Sequence, residues 1–251
     1  MIFNNKKGIF ALAFVLFMII LISYTSYLFY ISERSSLYTP VGGKAVEIYS
    51  LYQKAEKALL FIDKSAEYSF DKSLIYNKNK LKTDCGTKNG YILLVLGDKT
   101  CFLDKEVLNN NFNDIFNLYI SEYLSSYSDL DLKSLKYELN FNNKYIVGKA
   151  NNKLKVELDN MVYTVDPSFR LKMNFDVEKV FLEASDKVKK LYVLCGSDKN
   201  CWDANKGSDT IVQYNGKFFM LDINTGYKFG LLKDELILKF GLDFETNPLF
   251  R

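Results

Sequence analysis

Residues 135–175 read LKYELNFNNKYIVGKANNKLKVELDNMVYTVDPSFRLKMNF. Apolar and polar side chains alternate through five short runs, the period of strands with one packed and one wet face. Asn142-Asn143, Asn151-Asn152 and Asp159-Asn160 stand between the runs, where tight turns favour Asn and Asp. The pattern predicts an antiparallel β-meander with one buried face. Pro167 marks the expected internal boundary, although the strands on either side of it can still pair.

Outward from this stretch the period becomes helical. Leu108, Phe112, Ile115, Phe116, Tyr119, Ile120, Tyr123 and Tyr127 lay an apolar face along residues 105–127. Val177, Val180, Phe181, Ala184, Val188 and Leu191 do the same for about 176–194, with Asp176 and Glu178 at the start suiting the helix dipole. A third amphipathic helix is predicted over 45–75 from Ile48, Leu51, Ala55, Leu59, Ile62, Ala66 and Phe70. YILLVL, residues 91–96 between Gly90 and Gly97, suits a buried strand. IVQYNGKFFMLDI, residues 211–223, predicts a hairpin turning at Asn215-Gly216. ELILKFGLDF, residues 235–244, alternates as a final strand.

The N-terminal part has a different character. Ile9–Ile31, IFALAFVLFMIILISYTSYLFYI, carries no charge and at about 1.5 Å per residue would extend roughly 35 Å. It predicts a transmembrane helix, and Lys6 and Lys7 place the N-terminus in the cytoplasm with the remainder outside. Pro40, Gly42 and Gly43 predict a break after it. The expected layout is a tail and membrane helix at 1–34, a linker at 35–44, and α+β regions at 45–166 and 167–251, continuous or separate. The fold class is α+β, with amphipathic helices packed on antiparallel meander sheet.

Composition narrows the chemistry. The 251 residues contain no His, which removes the commonest general base and every His-based zinc site. A net charge of +3 without clustered Lys and Arg argues against a nucleic-acid surface. Nucleotide-loop and nucleophile-elbow motifs are absent from the sequence. Carboxylate pairs such as Asp63/Glu67 and Asp129/Asp131 could do acid–base work, but nothing in the sequence marks them as desolvated. Asp198, Asp203 and Asp209 faintly resemble a calcium loop without its order of acidic positions. No catalytic residue, cofactor or metal site is assigned.

Cys85, Cys101, Cys195 and Cys201 all follow the apolar helix, an even number compatible with disulfides in an oxidising compartment. Of three connectivities, local pairing, 85 with 101 and 195 with 201, costs the chain least to find. The spacings do not fit a structural zinc site. Trp202 is a possible partner contact, or else a side chain packed over the neighbouring disulfide.

The residues NKKGIFALAFVLFMIIL, 5–21, resemble the N-terminus of type IV pilin-like proteins. The resemblance implies processing between Gly8 and Ile9, with a possible role in self-assembly. Ala13 stands where many bacterial pilins carry Glu. EKALLFIDKSAEYS, 56–69, looks like a segment of membrane-anchored pilin-like archaeal proteins, some with envelope-processing domains. The expected function is a non-catalytic, single-pass extracytoplasmic envelope protein in contact with the lipid bilayer and with an envelope partner or further copies of itself. An envelope cell-wall enzyme or its accessory subunit is the alternative. A sensor is disfavoured by a cytoplasmic tail of only a few residues.

Overall fold

A computed structural model describes residues 6–37, 41–230 and 233–245, with side chains in the first helix described from Val15 to Ile31. The chain divides into two compact units, one of residues 1–53 with 158–161 and one of residues 54–157 with 162–251.

The first unit holds α1 (Lys6–Leu37) and the opening turns of α2 (Val41–Lys80). Both glycines expected in a linker, Gly42 and Gly43, belong to α2. Large apolar side chains from Val15 to Ile31 are exposed on α1 without an amphipathic stripe. Among the described residues, however, no helix is long and apolar enough to cross a membrane. This corrects the transmembrane element of the expected fold class. Ser23, Tyr24, Thr25, Ser26 and Tyr27 bring hydroxyls into the apolar stretch and make it less apolar than a spanning helix needs. The expected processing site, Gly8 and Ile9, lies where only the α1 backbone is described.

The second unit is α+β. Ala55, Ala58, Ile62, Ala66, Phe70 and Leu74 bury one face of α2, and small residues let neighbouring elements come close to it. Buried Ser69 and Ser73 donate their hydroxyls to the carbonyls four residues earlier at 2.6 and 2.7 Å, whereas the side-chain amide of buried Asn77, one turn further on, has no hydrogen-bond partner among the described residues. α3 (Lys105–Leu124) starts at the N-cap Asp104, whose carboxylate accepts from the Val107 amide, and α4 (Val177–Cys195) starts likewise at Asp176. Phe70, Phe112, Phe141 and Phe181 meet at ring separations of 5.5–6.3 Å and join three helices to one strand. Each such buried ring contributes about 1.5–3 kcal/mol.

The strands are β1 (Thr87–Lys88), β2 (Tyr91–Leu96), β3 (Lys99–Thr100), β4 (Tyr137–Asn142), β5 (Tyr145–Ala150), β6 (Leu154–Leu158), β7 (Met161–Val165), β8 (Ser168–Lys172), β9 (Thr210–Asn215), β10 (Phe218–Phe229) and β11 (Asp234–Asp243). The five strands of residues 135–175, β4 to β8, do not form the single meander expected of them, which is a second correction. One sheet runs β1-β2-β11-β10-β9 with β3 beside β2, a second runs β4-β5-β8, and β6 and β7 pair alone. The first is mixed, since β2 and β11 are parallel. In the second, β8 takes the edge of β5 that a meander would give to β6. Gly148 of β5 lies opposite Phe169 of β8, and a Cβ at Gly148 would fall inside the Phe169 ring, so side-chain fit selects this pairing. The β9–β10 hairpin turns at Gly216-Lys217, one residue later than expected: Asn215 pairs with Phe218, and only Gly216 of the loop has positive φ, 64°. Glycine at the first of two loop positions is the type II′ pattern, whereas Asn-Gly in the loop would need both residues positive.

Candidate functional site: an open groove beside strand β8

The cysteines pair locally. Cys85 and Cys101 have Cα atoms 5.9 Å apart, and Cys195 and Cys201 5.4 Å. The first disulfide packs with Tyr91, Leu93 and Phe218. The second ties the end of α4 to α5 (Lys199–Asn205), a helix within what reads as a polar loop. The signal for α5 was present in Asp198, whose carboxylate caps it by accepting from the amides of Asn200 and Cys201.

Trp202 of α5 is fully buried, donates its indole N–H to the Gly196 carbonyl at 2.9 Å and meets the Phe219 ring edge-on. This corrects its reading as a partner contact: the ring has no face open to a sugar or another protein. The three aspartates of the supposed calcium loop also separate. Asp198 caps α5, Asp203 pairs with Lys206 at 2.9 Å, and Asp209 binds Lys187. Hydrogen bonds from Lys206 and Lys187 hold the Asp203 and Asp209 carboxyls below the usual carboxylate range. Among the described residues no cluster of metal-ligating side chains occurs.

The site that the structure adds is a groove of about 1540 Å³ in the second unit. One wall is α2, where Leu60, Asp63, Lys64, Glu67, Phe70 and Asp71 recur at helical spacing. Opposite lies β8, with Ser168 through Lys172 and the following Met173 and Asn174 all lining the space. Lys228, Phe229, Gly230 and Lys233, around the β10–β11 turn, close one end.

The walls differ in charge. Glu67 is held by Lys64 at 3.0 Å. Asp63 and Asp71 are in no ion pair among the described residues, and burial pushes both carboxyls up, helped at Asp71 by the charge of Glu67. Burial also pushes the Tyr137 phenol up, with the negative charge of Asp63 adding to it. On the other side the Arg170 guanidinium lies 3.9 Å over the Tyr145 ring, and Lys172, Lys228 and Lys233 are likewise without carboxylate partners among the described residues. Five cations and three carboxylates line the groove, so its formal charge is 5 − 3 = +2. Asp63 and Glu67 are thus brought to one cavity, whereas Asp129 and Asp131 stay exposed in a turn.

The backbone of β8 matters as much as its side chains. Met173 donates to the Lys144 carbonyl and Ala150 to the Pro167 carbonyl, which fixes residues 167, 169, 171 and 173 as those bonded to β5. By alternation, the N–H and C=O groups of Ser168, Arg170 and Lys172 point away from β5, along the groove side of an edge strand. The other edge of the same sheet is closed: Asn117 and Asn113 of α3 bond the outward backbone groups of Tyr137 and Leu139 on β4.

Comparison with protein-family models, curated proteins and solved structures finds no match to this chain.

Proposed function

We propose that the protein is a non-catalytic binding or assembly component of the cell envelope, held at the cell membrane by lipid contact of α1, with its disulfide-bonded α+β unit outside. The observation that carries this reading is the exposure of large apolar side chains along residues 15–31, with Phe29 at 73 % and Ile20 at 64 %. A contiguous apolar surface of this kind is a contact surface for lipid or protein. Two disulfides in the same chain fit an oxidising compartment. The pilin-like start at Lys6-Lys7-Gly8 fits delivery to that compartment and assembly with further copies. Fractionation of the native cells tests the reading. The protein should sediment with membranes, and protease added to intact cells should digest residues 41–251. Recovery in the soluble fraction, or full protection from protease, would refute it. N-terminal sequencing of the membrane form tests the pilin-like part, which requires a start at Ile9.

A second reading, an envelope enzyme or its accessory subunit, draws on Asp63 and Asp71, whose raised carboxyls face the groove. Cell-wall hydrolysis that disappears in Asp63→Asn or Asp71→Asn would favour it over the first.

A further inference from the structure

We infer that the free edge of β8 is a docking site for an extended peptide that carries acidic residues at alternate positions and joins the β4-β5-β8 sheet as a fourth strand. The inference rests on the proposed binding role and names the partner class of this groove.

An edge strand with unpaired N–H and C=O groups is a template for another chain, and proteins ordinarily block such edges. In this sheet β4 is blocked by asparagine side chains, whereas β8 opens along its whole length into the groove. Ser168, Arg170 and Lys172 point their backbone groups away from β5, all three line that space, and the same three side chains lie on the exposed face of the sheet. A strand added there would set its own side chains directly opposite Arg170 and Lys172, where carboxylates are favoured and cations are not. Its alternate side chains would fall on the face of Phe169 and Leu171, the side on which Phe70 and Phe229 line the groove, and these positions suit apolar residues. Lys228 and Lys233 add positive charge at one end, and the carboxylates of Asp63, Glu67 and Asp71 on α2 repel an acidic segment placed against the helix instead of the strand. A second copy of β8 is a poor occupant, because antiparallel pairing centred on this strand sets Arg170 against Arg170. Main-chain bonds supply affinity and the alternating side chains specificity, as in other strand-addition sites.

The test uses the full-length chain in detergent and a capped eight-residue peptide alternating Glu and Val, with a Lys/Val peptide and a Glu/Val peptide N-methylated at alternate residues for comparison. The Glu/Val peptide should bind, slow hydrogen exchange at the amides of Ser168, Arg170 and Lys172, and lose binding on N-methylation. Lys172→Pro deletes an outward amide without touching the β5 ladder, since proline is tolerated on the open side of an edge strand. It should weaken binding roughly tenfold beyond Lys172→Ala, a difference worth about 1.4 kcal/mol. Should Lys172→Pro fail to fold, the N-methylated peptide carries the same test in the native protein. Equal binding of the N-methylated peptide, equal or tighter binding of the Lys/Val peptide, no binding of any peptide, or a self-association that Lys172→Pro abolishes would each overturn the inference. Peptide binding by a protein found away from the membrane would leave this inference standing while removing the envelope role. A membrane-bound protein that ignores the peptide would do the reverse.

Discussion

Asn117 acts toward Tyr137 as a neighbouring strand would: its Nδ2 donates to the Tyr137 carbonyl at 2.7 Å, and the Tyr137 amide donates to its Oδ1 at 2.8 Å. One turn earlier on α3, Asn113 accepts from the Leu139 amide at 2.7 Å. The helix thereby terminates the β4 edge with side-chain amides.

Replacing Asn117 by Ala leaves two backbone groups of β4 without partners and should cost about 1–3 kcal/mol. Urea unfolding measures it. Asn117→Asp keeps only the acceptor and should lose less than Ala but more than nothing; equal stability of all three proteins would show that the cap is unimportant.

Gly148→Ala drives a methyl group into the Phe169 ring. Overpacking of this kind costs about 1–3 kcal/mol. The double variant Gly148→Ala/Phe169→Leu should recover part of that loss, because the space taken by the methyl is returned across the strand pair. Strict additivity of the two substitutions in a thermodynamic cycle would mean that the two residues do not share the contact.

The two disulfides close loops of different length, with sequence separations of 16 and 6. Chain entropy then predicts a loss of about 3 kcal/mol for the Cys85→Ser/Cys101→Ser pair and about 2 kcal/mol for Cys195→Ser/Cys201→Ser. Melting curves of the two double variants, alone and with reductant, check the order. Without reductant the first should melt lower, and on adding reductant the second, which retains the Cys85–Cys101 bond, should lose more.

Asp71 gives a dependence on pH whose sign is fixed by burial. Its carboxyl is raised in the folded protein, first by desolvation and then by Glu67, so the folded chain holds the proton more tightly than the unfolded chain. Stability from this group is full below the ordinary carboxylate value of about 4 and falls as pH rises through the higher folded value. Asp71→Asn should raise Tm at pH 7 and leave it unchanged at pH 3. A lower Tm at pH 7 would mean that the charged carboxylate has a favourable partner.

The parts of this fold legible in the sequence are those written within a few residues. The 3.6-residue spacing of Leu108, Phe112 and Phe116, or of Val177, Phe181 and Ala184, reports the buried faces of α3 and α4 because one helix turn fixes which side chains share a side. The local cysteine pairs and the Asn and Gly turns are of the same kind. What spacing does not encode is which strand lies beside which. β8 passes over β6 and β7 to reach β5, and the reason is the fit of Phe169 on Gly148, which no period displays. The groove was equally hidden, since it needs α2 and β8, about a hundred residues apart, to face one another. Trp202 stayed open between partner contact and packing because its neighbours are polar in sequence, while its contacts, Gly196 and Phe219, come from a turn and from a strand further on.

The parallel contact of β2 with β11 sets the order in which this protein can be completed. Ile92 lies beside Phe240, 148 positions later by residue number, so β2 leaves a ribosome long before the strand that fills the middle of the larger sheet. The Cys85–Cys101 loop and the β9–β10 hairpin close over short distances and are free to form early, but β2 must keep an open flank until β11 arrives. A nascent chain therefore carries the apolar YILLVL segment half-sheltered until β11 has been made, the interval in which a chaperone has most to offer it.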